Sequence, residues 1–565
     1  MGEVYHETRV CVVRYNRPSA VVPDERRREQ QSVAGDIILT NGHLITSDPA
    51  LPVAEAVAIR NGIIAVVGSN DDALAERRAG TEVIDLHGRT ATAAFNDAHC
   101  HPMYVGFAAA AVNARPEATN SIAQLVAQIR VRAESQPPER WILARGYDDA
   151  RFAERRHPNR ADLDLAAPEH PVFVVRACGH IAVVNSKALH LAGINAQTRD
   201  PEGGIIDRDE HGEPTGVMRE SAIQFIRTVM QEPSVDEIAA ALDRAAALYH
   251  AVGVTSVGEA GIHRPEEMTA YQMLHDRGTG GLRTYLMMMV DEMLDGLEQT
   301  GIRTGFGDTR LRIGPAKLFI DGSIGGRTAR MRHPYVGEAE NVGLWMQTPH
   351  AFKAKFKRAH DLGWQCCAHA IGDAAIDLLL DCYEEAMAAN PRPDARHRIE
   401  HCEFITDTAV FDRIKRLGCI PIPGTTFLRD FRPVYLQNLG PERLRYANAM
   451  RTFMDMGIVA AASSDAPVVT VNPLAGIETM ITRADFAGDV AYPEEAITFA
   501  EAVWAYTWAG AYASFEETIK GSLTPGKLGD VTILNADARI IDPDDIAEMT
   551  VEYTIMDGEI VYSGT

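Results

Sequence analysis

The sequence is short of positive charge and of long apolar runs, and each shortage excludes a class of protein. Its 55 Lys and Arg residues stand against 78 Asp and Glu residues, which gives a formal net charge of −23. Nucleic acids and anionic membrane surfaces bind to basic patches, so we expect neither as a partner. No segment approaches the roughly 20 apolar residues that a membrane-spanning helix needs. Hydrophobic residues nevertheless make up 46% of the chain, which is ample for a folded core.

Cysteines are also scarce, and two common hydrolase motifs are missing. Eight cysteines in 565 residues are too few for a disulfide framework, and none forms a C-x-x-C pair. The H-E-x-x-H motif of many zinc peptidases and the G-x-S-x-G motif of serine hydrolases do not occur. We therefore expect reduced thiols in a cytoplasmic protein, and a chemistry that depends on neither motif.

Both ends of the chain carry short β-branched runs separated by tight-turn residues. Residues 1–34 show no periodicity and predict a flexible arm, after which DIILTNGHLIT and AVAIRNGIIAVVG begin the pattern. VEYTIMDGEIVYSG near the other end has the same character. The Asn-Gly and Asp-Gly pairs favour antiparallel hairpins, and each end alone is marginal as an independent sheet. We therefore predict a composite β-sandwich domain from residues 35–92 and 521–565.

Between the two ends, short apolar runs alternate with helical patterns. The strand-like runs are residues 90–101, 254–261, 282–290, 312–322, 365–372, 398–403, 418–426 and 457–467. The helical patterns include residues 349–362, 373–390 and 441–456. Eight strand–helix units are typical of an α/β protein with a (β/α)8 TIM-type barrel.

The predicted barrel consists of residues 93–114 and 236–520. The gap between its first and second runs is too long for one crossover connection, and it contains a strand-like piece of its own, PVFVVRACGHIAVVN. We therefore predict that residues 115–235 form an insertion domain after the first barrel strand, over one mouth of the barrel.

Six residues with metal-binding side chains lie in or at the ends of these runs. They are His99, His101, Lys317, His369, His401 and Asp465. His99 and His101 are two residues apart on a strand, so both imidazoles leave on the same face. The C-terminal strand ends of a barrel surround one mouth, where such residues converge. Each residue alone is more often structural, but six at matching positions favour a metal site.

Several ordered motifs resemble those of the amidohydrolase superfamily, and specifically its family 3 or YtcJ-like branch, which includes N-substituted formamide deformylases. They span about residues 36–562. The motifs are DAHCHP (97–102), RADLD with GH and NSKAL (160–189), GEPTGVMRE (212–220), KLFIDGSIGGRTA (317–329), AHAIGD (368–373), RIEHCE (398–403) and SSDAPV (463–468). The resemblance implies a metal-dependent hydrolase on a (β/α)8 barrel and is compatible with a homodimer.

The resemblance also implies a ligand set. His99 and His101 would bind one divalent ion, His369 and His401 a second, and Asp465 would contact the metal centre. Imidazole and carboxylate ligands suit zinc, so we expect two Zn²⁺ ions, with Mn²⁺, Fe²⁺ or Co²⁺ as alternatives.

Lys317 is implied to be N6-carboxylysine, an anionic bridge between the two ions. An ammonium group is a poor ligand beside two cations because like charges repel, whereas a carbamate offers oxygen of the right sign. The alternative is an unmodified Lys317 whose charge takes the place of the second ion, which leaves one metal.

The predicted reaction is hydrolysis of a linear C–N bond, with a small-molecule N-substituted amide or formamide as substrate. A bound divalent metal supplies hydroxide at neutral pH and polarises the carbonyl. Asp465 would accept the proton of the water and pass it to the leaving nitrogen. The same site could hydrolyse a cyclic amide, carbamate, urea or ester. A more distant alternative is a non-catalytic barrel that serves as a binding module, although such relatives typically lack ligands and all six are present here.

Three further residues are candidates for substrate contacts. His180, in the insertion, could face the substrate, or it could be a structural histidine bonded to a loop carbonyl. Asp321 and Arg327 follow the fourth run and could orient the modified lysine or the substrate. The alternative for this pair is a salt bridge that holds a loop.

Overall fold

The structure, a computed structural model, describes residues 36–116, 118–176, 181–201, 203–278 and 281–564. The predicted N-terminal arm, residues 1–34, lies outside these ranges. Within them, no helix is both long enough and apolar enough to cross a membrane. The six cysteines in the described ranges are buried and free.

Strands from the two chain ends form two sheets that share an apolar core. They are β1 (Ile37–Thr40), β2 (His43–Ile45), β3 (Val53–Ala54), β4 (Ala56–Arg60), β5 (Ile63–Gly68), β6 (Glu82–Asp85), β7 (Thr90–Ala93), β21 (Val531–Leu534), β22 (Val551–Met556) and β23 (Glu559–Ser563). One sheet has the order β5-β4-β1-β6, and the other has the order β23-β22-β21-β7-β2-β3. β21 pairs antiparallel with β7, and Leu39 and Ile533 belong to the same apolar cluster. The two chain ends therefore combine into a sandwich, as their sequence patterns predict.

Seven parallel strands form most of a barrel. They are β8 (Phe95–Cys100), β15 (Val254–Ile262), β16 (Arg283–Met289), β17 (Leu311–Phe319), β18 (Cys366–Ala370), β19 (Arg398–His401) and β20 (Ile420–Ile422). They are hydrogen-bonded in this order, and each is parallel to its neighbour. These runs of apolar residues are buried on both faces, as expected of parallel strands covered by helices.

The eighth predicted run, residues 457–467, closes the barrel without regular strand geometry. Ala461 N donates to the carbonyl of Pro421 (3.0 Å), which is in β20. On the other side, Asp465 N donates to His99 O (2.8 Å) in β8. The segment thus bonds to both the seventh strand and the first. Asp465 has a φ of 58°, which a regular β ladder does not accommodate, and this explains the irregular backbone. The (β/α)8 barrel is confirmed.

The first predicted run, residues 90–101, divides into two strands in different sheets. β7 belongs to the sandwich and β8 to the barrel, with Ala94 between them. Ala94 N donates to Asp530 O beside the C-terminal strands, whereas Phe95 N donates to Gly253 O just before β15. The chain therefore passes from one sheet to the next at a single residue.

The insertion has a sheet and an apolar core of its own. Its strands are β9 (Val112–Asn113), β10 (Ile142–Tyr147), β11 (Val172–Arg176), β12 (Ile181–Val184), β13 (Gly204–Arg208) and β14 (Pro214–Glu220). The sheet order is β13-β14-β12-β11-β10-β9. Ile129, Ile142 and Val174 are among the buried residues of its core.

The described helices pack against the barrel, the sandwich and the sheet of the insertion. They are α1 (Asn70–Leu74), α2 (Pro102–Ala110), α3 (Ile122–Glu134), α4 (Arg160–Asp164), α5 (Ser186–Leu191), α6 (Ile223–Arg227), α7 (Val235–His250), α8 (Pro265–Arg277), α9 (Val290–Thr300), α10 (Pro349–Asp361), α11 (Asp373–Ala389), α12 (Ala409–Leu417), α13 (Phe427–Leu439), α14 (Met450–Asp455), α15 (Pro473–Thr482), α16 (Phe499–Ala505) and α17 (Trp508–Ala513). Short 3₁₀ helices occupy Glu442–Leu444, Pro493–Glu495 and Pro543–Glu548.

Two of the three helices predicted from periodicity are confirmed, and one is wrong. Residues 349–362 and 373–390 correspond to α10 and α11. Residues 441–456 do not form one helix, because the 3₁₀ turn and α14 are separated by Asn448, whose φ is 50°. A residue in the left-handed conformation interrupts a right-handed helix. The spacing of the apolar residues is the same on both sides of the break, so the sequence pattern does not predict it.

Candidate metal centre

The six predicted metal-binding residues lie together at the C-terminal ends of the barrel strands. His99 and His101 are at the end of β8, Lys317 is on β17, His369 is on β18, His401 is on β19, and Asp465 is on the closing segment. Parallel strands bring their C-terminal ends to one mouth, so residues that are more than 300 positions apart become neighbours.

The four histidine rings form a continuous series of contacts with an aromatic ring at each end. The order is Phe319, His369, His401, His99, His101 and Tyr104, with successive centroid separations of 5.3, 4.6, 4.9, 5.8 and 5.8 Å. Phe427 stacks on His401, and the centroids of these two rings are 5.9 Å apart. The histidines therefore share one enclosure, which three aromatic rings border.

Asp465 faces the two histidines of the first strand. Its Oδ1 lies 3.2 Å from His101 Nε2 and 3.6 Å from His99 Nε2. One ligand atom from each of these three residues lies within 4.8 Å of the other two, and the described residues contain one such group of potential metal ligands. Two imidazole nitrogens and a carboxylate oxygen are a donor set that zinc prefers.

Burial holds three of the histidines in the neutral form that binds metals. Burial lowers the pKa of His369 to about 4, helped by the charge of Lys317. The pKa values of His99 and His401 are also well below the usual range, mainly through burial. Burial acts in the same direction on His101, but a hydrogen bond and charge from Asp465 and the charge of Glu259 outweigh it and raise its pKa. Neutral imidazole is the ligand form, so the site is prepared for a cation.

Two ring nitrogens at the site are buried without a hydrogen-bond partner. They are Nδ1 of His101 and Nδ1 of His401. An unsatisfied buried polar atom costs about 1–3 kcal/mol, so such atoms mark places where a further ligand or a small movement is expected. The donor set of His99, His101 and Asp465 fits a divalent ion held by imidazole and carboxylate groups.

The backbone of the site leaves regular strand geometry at two places. His401 and Cys402 have φ values of 69° and 44°, and Asp465 has a φ of 58°. Such values cost about 1–3 kcal/mol for a residue with a Cβ atom and cluster at functional sites. Adjacent residues of a regular strand point to opposite faces, but here both Glu400 and His401 contact His99.

Lys317 is almost fully buried, with 1% of its surface exposed, and lies among the histidines. Its Nζ is 5.0 Å from the ring centroid of Phe319, which itself stacks on His369. Burial contributes most to lowering the pKa values of His99 and His369, and the positive charge of Lys317 contributes second most. An ammonium group at this place opposes the binding of a second cation.

The family model of the amidohydrolase family matches residues 82–562 of this chain. The chain belongs to the amidohydrolase family. The motif resemblance is thereby confirmed, and the barrel, the histidines and the buried lysine belong to a hydrolase of this family.

Two curated relatives and one solved structure show how far the similarity to this amidohydrolase extends. The chain is 32% identical over 521 residues to Protein LONG AFTER FAR-RED 3 of Arabidopsis thaliana, covering 90% of this chain and 88% of the relative. It is 29% identical to N-substituted formamide deformylase of Arthrobacter pascens, covering 94% and 99%. A metal-dependent hydrolase from Pyrococcus furiosus superimposes with a TM-score of 0.74 at 28% identity, covering 90% and 100%. A divalent metal is therefore expected of this amidohydrolase as well.

The three candidates for substrate contacts have different surroundings. His180 lies outside the described residues. Asp321 accepts hydrogen bonds from the backbone N–H groups of Arg330 (2.8 Å), Ile371 (3.1 Å) and Gly372 (2.9 Å), and burial raises its pKa to about 7. Its Oδ1 is 3.7 Å from His369 Nε2, so it lies beside the metal centre of the amidohydrolase while it ties two loops together.

Arg327 contacts protein groups in the loops beyond β17. Its Nε donates to Asn438 Oδ1 (2.9 Å), and its guanidinium pairs with Glu338. These contacts correspond to the loop-holding alternative.

Three buried acids near the histidines were missed by the sequence analysis. Glu400 contacts His99, and Glu259 lies 3.8 Å from His101. Burial raises the pKa of Glu259 to about 7, although the charge of His101 lowers it. Asp97 accepts a hydrogen bond from Ser464 N (2.9 Å), and burial raises its pKa to about 6. The available signal was an acid inside a strand of the predicted barrel, since an unpaired acid is rarely buried.

Proposed function

We propose that this amidohydrolase cleaves the linear C–N bond of a small N-substituted amide, with a formamide as the best candidate. The observation that carries the proposal is the convergence of His99, His101 and Asp465 at the barrel mouth. The similarity to a protein named N-substituted formamide deformylase, over 94% of this chain, supports the choice of substrate.

The proposed metal centre holds two zinc ions. His99, His101 and Asp465 would hold one ion, and His369 and His401 the other, with carboxylated Lys317 as a shared oxygen ligand. Carboxylation would replace a buried positive charge by a negative one and so remove the repulsion described above. When bound, such ions polarise a carbonyl group and lower the pKa of water from 15.7 to about 7.

Asp465 is proposed as the proton carrier of the reaction. Its side chain is at the mouth of the barrel and is 12% exposed, so it can meet both the centre and an entering substrate. Oδ1 is placed to accept a proton from the attacking water and Asp465 then returns it to the leaving nitrogen, which departs as an amine. This transfer is needed because an amide anion is too poor a leaving group.

The walls of the enclosure favour a neutral substrate with apolar character. Phe319, Phe427 and Tyr104 surround the histidine series, and Tyr104 is 45% exposed at the mouth. The net charge of −23 opposes the approach of an anion. Both features fit an uncharged amide.

A substrate panel tests the proposal directly. Zinc-loaded protein is assayed with N-benzylformamide and formanilide, a lactam, a urea, a carbamate and an aryl ester, and product amine is quantified. We expect kcat/KM for the linear formamides to exceed that for the other classes by at least tenfold. Faster hydrolysis of the lactam, urea, carbamate or ester would replace the linear amide by that class, and hydrolysis of none would remove the proposed activity.

A further inference from the structure

Two buried glutamates lie behind the two histidines of the first barrel strand. Glu400 on β19 and Glu259 on β15 have no exposed surface. Glu400 contacts Nδ1 of His99, and Glu259 Oε1 lies 3.8 Å from Nδ1 of His101. On the opposite side of each ring, Nε2 faces Asp465. Each histidine therefore stands between a glutamate and the candidate metal position.

Glu400 is held so that it can only accept from His99. Arg398 donates through Nε to Oε1 (2.8 Å) and through Nη2 to Oε2 (2.9 Å), which is a bidentate pair. Arg398 Nη2 also donates to the carbonyl of Ala98, next to His99 (2.8 Å). The carboxylate is thereby fixed in direction. His99 must donate through Nδ1, which leaves the lone pair of Nε2 free.

Glu259 is held on one oxygen and free on the other. Its Oε2 accepts from Tyr271 OH (2.5 Å) and from Met103 N (3.3 Å). Its Oε1 is buried without a hydrogen-bond partner, and so is Nδ1 of His101. These two unsatisfied atoms are 3.8 Å apart, and a shift of about 1 Å would join them in a normal hydrogen bond.

We propose that Glu400 and Glu259 are positioning residues that set the tautomers of His99 and His101, so that both rings present the lone pair of Nε2 to one ion. The contact between His99 and Glu400 is already made, whereas a bond between His101 and Glu259 needs a shift of about 1 Å by one of the two side chains. Carboxylates commonly hold metal-binding histidines through the second ring nitrogen, and their loss typically weakens metal binding 10–100-fold. The inference rests on the metal centre of the proposed function but not on the proposed substrate.

The geometry of Glu259 predicts that glutamine is a worse replacement than alanine. Tyr271 OH and Met103 N both donate to the Oε2 position, so the amide oxygen of Glu259→Gln will occupy it. The amide NH₂ then faces His101 and donates to Nδ1. This bond forces the proton of the ring onto Nε2, which removes the metal-binding lone pair. Glu259→Ala merely leaves His101 without a partner. A purely structural role predicts the reverse order, because glutamine has the same shape as glutamate.

The test is Co²⁺ affinity of the full-length chain, measured by competition with a chromophoric chelator and by the visible d–d absorption of bound Co²⁺. We expect Kd to rise 10–100-fold in Glu259→Gln and by a smaller factor in Glu259→Ala. Glu267→Gln is the matched control, because Glu267 is equally buried but bonds to the backbone N–H groups of His263 and Arg264. Its Kd should stay within threefold of the unmodified protein. The metal-free thermal midpoint of each variant checks the fold.

The outcomes separate this inference from the proposed function. If Glu259→Gln binds Co²⁺ as tightly as the unmodified protein, or more tightly than Glu259→Ala, the positioning role is wrong while the metal centre stands. If the unmodified protein binds no divalent ion, both the metal centre and this inference fail. If Glu259→Gln does not fold, Tyr271→Phe replaces it, since loss of the hydroxyl frees Glu259 to turn. A Kd that is unchanged in Tyr271→Phe would then overturn the role of Glu259.

Discussion

His397 Nε2 lies 2.9 Å from Nδ1 of His360, and the two imidazoles form a buried hydrogen-bonded pair. Cys366 N donates to His397 Nδ1 (2.9 Å), so the ring proton of His397 is on Nε2 and His397 is the donor to His360. His360 Nε2 then donates to Asn390 O (2.8 Å). The series from backbone N–H to backbone carbonyl is complete only when both rings are neutral.

This pair predicts a loss of stability in mild acid. Burial lowers the pKa of His360, and burial followed by the charge of His360 places the pKa of His397 well below its usual 6.5. Below about pH 6.5 these two histidines therefore bind more protons in the unfolded chain than in the folded one. The stabilisation is present above pH 6.5 and decreases as the pH falls towards the folded-state values, by up to about 1.4 kcal/mol per pH unit for His397.

Urea unfolding at pH 7.5, 6.5 and 5.5 measures this effect. Between pH 7.5 and pH 5.5 the unmodified chain should lose more of its urea midpoint than His397→Asn, which no longer gains the proton on unfolding. His211→Asn, at a histidine whose side chain is 79% exposed, should keep the original pH dependence. Equal slopes for His397→Asn and the unmodified chain would contradict the prediction.

Asp465→Asn should retain metal but lose turnover. The asparagine oxygen can still face His99 and His101, but it cannot carry a proton, and general acid–base catalysis typically contributes 10²–10⁴-fold. We expect kcat to fall by about that factor, with KM little changed. Metal content by elemental analysis is the control, and normal turnover at unchanged metal content would disprove the role of Asp465.

Reconstitution of the metal centre should depend on bicarbonate. Carboxylation of Lys317 consumes CO₂, and the buried ammonium group otherwise opposes a second cation because like charges repel. Metal-free protein incubated with Zn²⁺ in CO₂-free buffer should regain about one ion per chain, and added bicarbonate should raise this to two together with activity. Lys317→Met should stay at one ion under both conditions. Full activity with one ion per chain in CO₂-free buffer would instead favour an unmodified Lys317.

Loss of the Arg283 side chain should weaken the attachment between the barrel and the sandwich. Arg283 on β16 is 1% exposed and bonds to both oxygens of Asp530, through Nε (2.7 Å) and Nη2 (2.9 Å). Arg283→Met leaves Asp530 buried without its partner, which should cost about 3–5 kcal/mol of unfolding free energy.

Arg310→Met is the matched control for that ion pair. Arg310 also pairs with a carboxylate near the C-terminal strands, that of Asp557, but its side chain is 39% exposed. Exposed pairs contribute about 0–1 kcal/mol, so its thermal midpoint should change little. Similar shifts in the two variants would show that burial of Arg283 does not matter.

The parts of the fold that follow from local pattern could be read from the sequence, and those that depend on single backbone angles could not. Alternating runs and helical spacing predicted the barrel, and ligand-type residues at the run ends predicted the residues that meet at its mouth. The break at Asn448 and the irregular closing segment at Asp465 depend on left-handed φ values. An Asn or Asp in the sequence does not by itself predict such a φ value.

The glutamates of the site were hidden for a different reason. Glu400 and Glu259 lie inside barrel strands, and the sequence does not show which histidine each of them meets. Arg398 is close to Glu400 in the chain, but His99 is 301 residues away. Similarly, His360 and His397 become a pair only when two distant segments fold together. Contacts of this kind require the tertiary structure.

The position of Asp465 gives the metal centre a second consequence. His99 and His101 end the first strand of the barrel, and Asp465 is on the segment that returns to it after the whole ring has been built. An ion shared by these three residues would join the beginning of the ring to its end, across the seam where no regular strand pairing exists. It would hold the two ends of the ring together. Formation of the metal centre and closure of the barrel would then be the same step.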